Sequence, residues 1–368
     1  MVRKYLHAIL IVLIFSVGCK QDYSFKGINQ FKRSDFKESL SLTGTSFNLP
    51  GVFRPLRIQI IPEKNICIVL EAQRAGYFAN VYSLDSMKFI KSFIRNARIP
   101  IGQISATSMQ YVPNHRKLYV FDPLQQNIFS YSIDSIADPL VETKPNGFLG
   151  DTSNRYNGNI AVSKIMSPIV IPASHKIAGR RFNMQGEPLR LLNFYDYKLS
   201  LSGSMGLYPD TLLGLPPFAY DEVYFGGLHI SLKGDKLIFN YYNTDIISIY
   251  DTAGRLLVSK QGPDALSHKM KLFKTDKGVS IVPLKDARFG YLSPVKASGN
   301  RIMILYNGKK VSKRDESSGE LFVFNDSLQP QTRYLLSENI FDFDIDWQSH
   351  RIYGLTNVNS PRVVVFAF

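Results

Sequence analysis

One short unit recurs along this chain without a fixed motif, and it limits the folds available more than any other feature. It appears as "NICIVLEAQRAGYFANVYSLD", "KLYVFDPLQQNIFSYSID", "KLIFNYYNTDIISIYD", "RIMILYNGKKVSKRDESSGELFVFND" and "RIYGLTNVNSPRVVVFAF". Each copy is an apolar strand, a polar turn of variable length, and a second strand ending aliphatic–aromatic, usually before Asp or Asn. The stretch "EPLRLLNFYDYKLSLSG" supplies a sixth. Tyr82, Tyr131, Tyr195, Tyr250, Phe324 and Phe366 then act as a ruler, with gaps of 49, 64, 55, 74 and 42 residues. A four-stranded antiparallel sheet with its loops needs about that much chain. No segment after the first 18 residues carries a 3.6-residue apolar period long enough for a major helix. The expected fold is all-β, a six-bladed β-propeller of four-stranded antiparallel blades, which removes exposed sheet edges by closing in a circle.

Closure makes its own demand. The last unit has three strands, Phe341–Trp347, Arg351–Thr356 and Arg362–Phe368, and then the sequence ends. The segment "FKESLSLTG", Phe36–Gly44, alternates and belongs to no unit. Pairing it onto Arg362–Phe368 would complete the sixth blade and clasp the ring.

The first residues have a different character. "MVRKYLHAILIVLIFSVGC" carries a basic start at Arg3 and Lys4, an apolar run too short to span a bilayer, and small residues before Cys19. This resembles the signal sequence and lipobox of bacterial lipoproteins, in which the chain is cut before the cysteine and the sulfur receives a lipid. The reading divides the chain into a signal peptide (1–18), a flexible tether (19–35) and the propeller (36–368). The resemblance implies that Cys19 is the lipidation site, in a cell-envelope protein held at the outer membrane and facing periplasm or cell surface. The remaining cysteine, Cys67, sits in an apolar run and reads as a small buried hydrophobe.

The lipobox-like start, the six units and the line "AYDEVYFGGLHISLKGDKLIFNYYNTDIISIYD" together resemble the TolB-like six-bladed propeller lipoproteins of Bacteroidetes. The resemblance runs from about Phe36 to Phe368. It implies the fold and the compartment and carries no defined activity.

Charge and motifs narrow the function. Lys and Arg number 44 against 30 Asp and Glu, a net charge of +14, or +12 once Arg3 and Lys4 are removed. The basic residues are scattered, and none interleave with aromatics as a base-stacking surface requires, so nucleic acid is not an expected partner. The five histidines after the signal segment are isolated. There is no His-Glu-x-x-His, no Gly-x-Ser-x-Gly and no Walker loop. No cofactor or metal is called for.

Two constellations stand out. "FDFDIDW" places Asp342, Asp344 and Asp346 at period two, on one strand face. Such a row asks either for a cation or for basic partners and loop hydrogen bonds across blades. "PPFAYDEVYFGGLH" brings Tyr220, Tyr224 and His229 to the start of a blade, where innermost strands line the central channel. These three are the candidate ligand-binding residues; the same aromatics would serve equally as blade packing. The chain reads as a binding or interaction module for a peptide, glycan or partner protein. The alternative is a propeller-fold glycan lyase or hydrolase with its site on the central funnel.

Overall fold

The structure, a computed structural model, describes residues 27–72, 76–96, 103, 105–149, 165–181, 189–209, 215–275, 278–313, 317–357 and 360–368. The signal segment and Cys19 lie outside these residues.

Three short strands come first: β1 (Asn29–Gln30), β2 (Glu38–Leu42) and β3 (Gly44–Asn48). Blade 1 follows as β4 (Pro55–Ile61), β5 (Ile66–Glu71), β6 (Tyr77–Ser83) and β7 (Phe89–Arg95). Blade 2 is β8 (Ser108–Val112), β9 (Lys117–Asp122), β10 (Asn127–Ser132) and β11 (Gly147–Leu149), with helix α1 (Ile133–Ala137) before its last strand. Blade 3 is β12 (Met166–Ile171), β13 (Lys176–Arg180), β14 (Leu192–Tyr195) and β15 (Leu201–Met205). Helix α2 (Pro217–Val223) leads into blade 4: β16 (Gly226–Ile230), β17 (Lys236–Tyr241), β18 (Ile246–Asp251) and β19 (Leu256–Gln261). A separate hairpin, β20 (Met270–Thr275) and β21 (Gly278–Pro283), precedes blade 5. That blade is β22 (Lys296–Ser298), β23 (Arg301–Tyr306), β24 (Ser318–Asn325) and β25 (Pro330–Ile340). Blade 6 comprises β26 (Asp342–Asp346), β27 (Arg351–Thr356) and β28 (Arg362–Ala367), completed by β3 from the other end of the chain.

The second strand of each blade is almost wholly buried, because a neighbouring blade covers each face. These strands therefore read as continuous apolar runs rather than alternating ones, as doubly covered strands do. The buried side chains gather into six clusters, one for each blade interface, including blade 6 against blade 1. The ring is therefore closed. Each ruler aromatic occupies a different interface. Tyr82 lies between blades 6 and 1, Tyr131 between 1 and 2, and Tyr195 between 2 and 3. Tyr250 lies between blades 3 and 4, Phe324 between 4 and 5, and Phe366 between 5 and 6. They recur because the third strand of every blade must fill the same wedge against the blade before it.

The clasp differs from its expected register. It is Gly44–Asn48, antiparallel to β28, and not Phe36–Gly44. The alternating segment Glu38–Leu42 instead runs parallel to β25 on the outer edge of blade 5, where only Leu42 is buried. Gly44 marks the crossing point between the blades. A Cβ there would meet Val364 Cγ1 at 2.4 Å and Phe366 Cε1 at 2.7 Å. The folded part also begins before Phe36. β1 pairs parallel to β19, and Phe31, 2% exposed, packs edge-on against Phe36, Phe322 and Phe324. Arg33 bridges Asp264 and Glu320 at 2.8 Å each, tying this segment to blades 4 and 5. Cys67 is fully buried in β5, and that burial pushes its thiol pKa up, leaving it a packing residue.

Candidate functional site

The innermost strands of the six blades enclose a central cavity of about 1030 Å³, at the upper end of the range for small-molecule sites. Every innermost strand is a sheet edge, so its outward N–H and C=O groups need partners. Two blade junctions meet that need with side chains. Ile58 N donates to Asp342 Oδ2 at 2.8 Å, and Ile60 N donates to Asp344 Oδ2 at 2.7 Å. Alternate N–H groups on β4 face the same way, so the acceptors must also come at period two. This is the physical reason for the spacing in "FDFDIDW". Between blades 2 and 3, Gln110 plays the same part against β12. Its Oε1 accepts from Val170 N at 2.7 Å and its Nε2 donates to Val170 O at 2.9 Å.

The three aspartates thus have separate tasks. Asp344 accepts from Gln59 Nε2 at 2.6 Å and Ile345 N at 2.9 Å, and pairs with Lys296 Nζ at 3.0 Å. It therefore joins blades 5, 6 and 1. Asp346 closes the β26–β27 turn, accepting from Gln348 N, Ser349 N and Ser349 Oγ. Asp342 is fully buried, and burial holds its carboxyl up at about 6 despite the nearby charges of Arg57 and Lys296. Among the described residues no group of three or more His, Cys, Asp or Glu is arranged to hold a metal ion.

The proposed ligand residues separate. His229 lies on β16 and lines the cavity, half-buried. Tyr220 and Tyr224 do not line it. The segment just before the blade is helix α2, opened by Pro217 at its first position, where a missing N–H is harmless. Tyr220 and Tyr224 pack their rings at a tilt against Tyr208 in the core between blades 3 and 4. The glycines after them have a steric purpose. A Cβ on Gly226 would strike Asn240 O at 2.1 Å, and one on Gly227 would strike His229 Nε2 at 2.6 Å. Without those atoms the imidazole lies back against Asn240.

That contact fixes the tautomer. Asn240 Nδ2 donates to Tyr291 O at 2.7 Å and Ser293 O at 3.3 Å, so Asn240 Oδ1 is an acceptor. His229 Nε2, 2.8 Å from Oδ1, must carry the proton. Nδ1 is then a bare acceptor. Burial, with the positive charges of Lys296 and Arg57, lowers the imidazole pKa from 6.5 to about 3. The neutral form contributes stability that is present above about pH 6.5 and lost as the pH falls toward 3. Asp342 has the opposite sign, its contribution being present below 3.8 and lost as the pH rises through about 6. Replacing His229 with Gln removes only the first effect. The substitution should therefore cost more at pH 7 than at pH 4, by on the order of 2–3 kcal/mol in urea unfolding. A cost independent of pH would show that the imidazole is not held neutral.

Residues that the sequence did not single out complete the site. Arg57 and Gln59 on β4, Lys296 on β22 and the lone tryptophan, Trp347, all line the cavity. The register shift in β12 between Met166 and Ile169 turns Ser167, at φ 47°, and Pro168 into it as well. The alternation Leu56-Arg57-Ile58-Gln59-Ile60 sets Arg57 and Gln59 on one face of β4, and it is the signal that could have found them.

No protein-family model matches the chain, and no curated protein matches it. Similar solved structures include a member of the DUF4221 family from Bacteroides vulgatus, with a TM-score of 0.52 and 10% identity, over 88% of this chain and 96% of that one. A protein from Bacteroides fragilis described as exported gives a TM-score of 0.52 at 9% identity, over 89% of this chain and 98% of that one. At such identities the likeness speaks for the fold, and the chain is a six-bladed β-propeller.

Proposed function

We propose that this chain is a lipid-anchored envelope propeller of the TolB-like kind that binds a peptide, glycan or partner protein through its central cavity. The carrying observation is the cavity itself, where Arg57 and His229 present polar atoms that the protein leaves uncommitted. The envelope address rests on the lipobox-like sequence ending at Cys19, and one of the similar structures, from Bacteroides fragilis, is described as an exported protein. Among the described residues no helix is long and apolar enough to cross a membrane.

Two measurements test this reading. Cys19→Ala should abolish palmitate labelling and release the protein from the membrane fraction; continued labelling would refute the anchor. A panel of amino acids, dipeptides and neutral, acidic and basic saccharides should contain members that raise the melting temperature by mass action. Ala173→Trp, at the exposed cavity mouth, should weaken that response. A panel without effect would remove the cavity as the binding site. A hydrolytic reading is favoured by one observation, the raised carboxyl of Asp342. Its neighbour Asp344 is occupied by Lys296, Gln59 and two backbone N–H groups, so that carboxylate is not free to act with it.

A further inference from the structure

Arg57 differs from Arg33, Arg333 and Arg362, which are part-buried like it. Arg33, Arg333 and Arg362 each rest on a carboxylate at 3.0 Å or less. Arg57 has no such pair among the described residues. Its Nη1 donates to Leu56 O at 2.9 Å, and its Nε and Nη2 find no acceptor there. The Nε–Nη2 edge of a guanidinium is a planar fork that matches the two oxygens of a carboxylate. Arg57 lines the cavity half-buried, where such a pair is screened less than at the surface.

The surroundings favour an anion over a cation. Lys296 adds a second positive charge and lines the same cavity. Asp342, Asp344, Asp346 and Glu63 also line the cavity, but Asp346 is committed to its turn and Glu63 accepts from Tyr111 Oη. Asp342 is fully buried, Asp344 is 6% exposed, and Asp344 is already paired with Lys296. The chain without residues 1–18 carries a net charge of +12, which draws anions from a distance. His229 Nδ1, a bare acceptor near both cations, asks for an O–H or N–H donor beside the ligand's acidic group.

We infer that the cavity takes a small organic acid, its carboxylate gripped side-on by Arg57 and an adjacent hydroxyl or amide N–H directed to His229. This inference rests on the cavity being the binding site. Hydroxy acids of the uronic type and N-acylated amino acids share the required chemistry.

The test is a titration of the full mature chain followed by the fluorescence of Trp347 at the cavity wall and by calorimetry. The probes are D-glucuronate and D-galacturonate against glucose and galactose, and N-acetylalanine against its amide, with sulfate as a plain anion. At least one acid should bind, and its neutral counterpart should bind at least tenfold more weakly. The pair that does so identifies the source. Arg57→Gln should lose about tenfold or more in affinity, the loss expected for a charge-assisted hydrogen bond. Arg57→Lys should recover only part of it, since it keeps the charge without the fork. Asp342→Asn, which removes a negative charge near Arg57, should leave binding equal or tighter. Neutral saccharides that bind as well as the acids, with Arg57→Gln unaffected, would overturn the carboxylate assignment and leave the cavity as a binding site. Sulfate binding as tight as any acid would overturn it too. No binding by any probe would count against both readings.

Discussion

A chain lacking residues up to and including Asn48 should lose its cooperative thermal transition and bind a hydrophobic dye at room temperature. The truncation removes β3, which pairs five residues with β28, and β2, which pairs five with β25. It also uncovers the apolar groups beneath Phe31, Phe36 and Leu42, all buried between or beside blades. Removing one buried phenylalanine side chain costs about 3–5 kcal/mol. Removing two, with the ring opened at blade 6, is comparable with the whole stability of a typical protein, about 5–15 kcal/mol. The exposed edge of β28 would then be a template for association with other chains. Phe31→Ala in the intact chain keeps the clasp and should cost about 3–5 kcal/mol by urea unfolding. A truncated protein that melts with the intact one would show that the ring does not depend on its N-terminal strands.

Lys296→Ala should be among the most damaging single substitutions in the cavity wall. It leaves Asp344 buried without its ion partner, and stranding a buried charge in this way costs about 3–5 kcal/mol. Asn at position 344 keeps an oxygen for the Ile60 and Gln59 donors while removing the charge. The double variant Lys296→Ala, Asp344→Asn should therefore recover much of the loss. A cycle of four proteins measures the coupling by denaturant unfolding. Additive single costs would show that the two side chains do not act as a unit, and that the seam between blades 5, 6 and 1 is held by packing alone.

The two experiments probe different parts of what the sequence displays. The ring was readable because its cause is local and repeated. Tyr82, Tyr131, Tyr195, Tyr250, Phe324 and Phe366 each fill one interface, so the same aliphatic–aromatic ending appears six times. The need for a clasp was readable from a final unit with three strands. Its register was not. Both Phe36–Gly44 and Gly44–Asn48 can pair along an edge, and the deciding contact is the close approach of Gly44 to Val364 and Phe366. The candidate site was legible only in His229. Tyr220 and Tyr224 shared its apolar, aromatic setting, but Tyr220 on α2 and Tyr224 just after it are turned into the core.

The sequence alone determined the strand–turn–strand units, the six-fold repeat and the positions that fill the wedges, because each follows from alternation and turn chemistry within some 40 to 75 residues. Tertiary structure decided the use of the polar residues on the innermost strands. The carboxylates of Asp342 and Asp344 meet backbone N–H groups of residues 284 positions away. Which N–H groups lie open at a sheet edge depends on how the ring closes and on the register of every blade. Arg57 is left with an uncommitted edge for the same reason. A side chain's partners in a closed ring are set by geometry accumulated around the whole circle, and no local pattern records it.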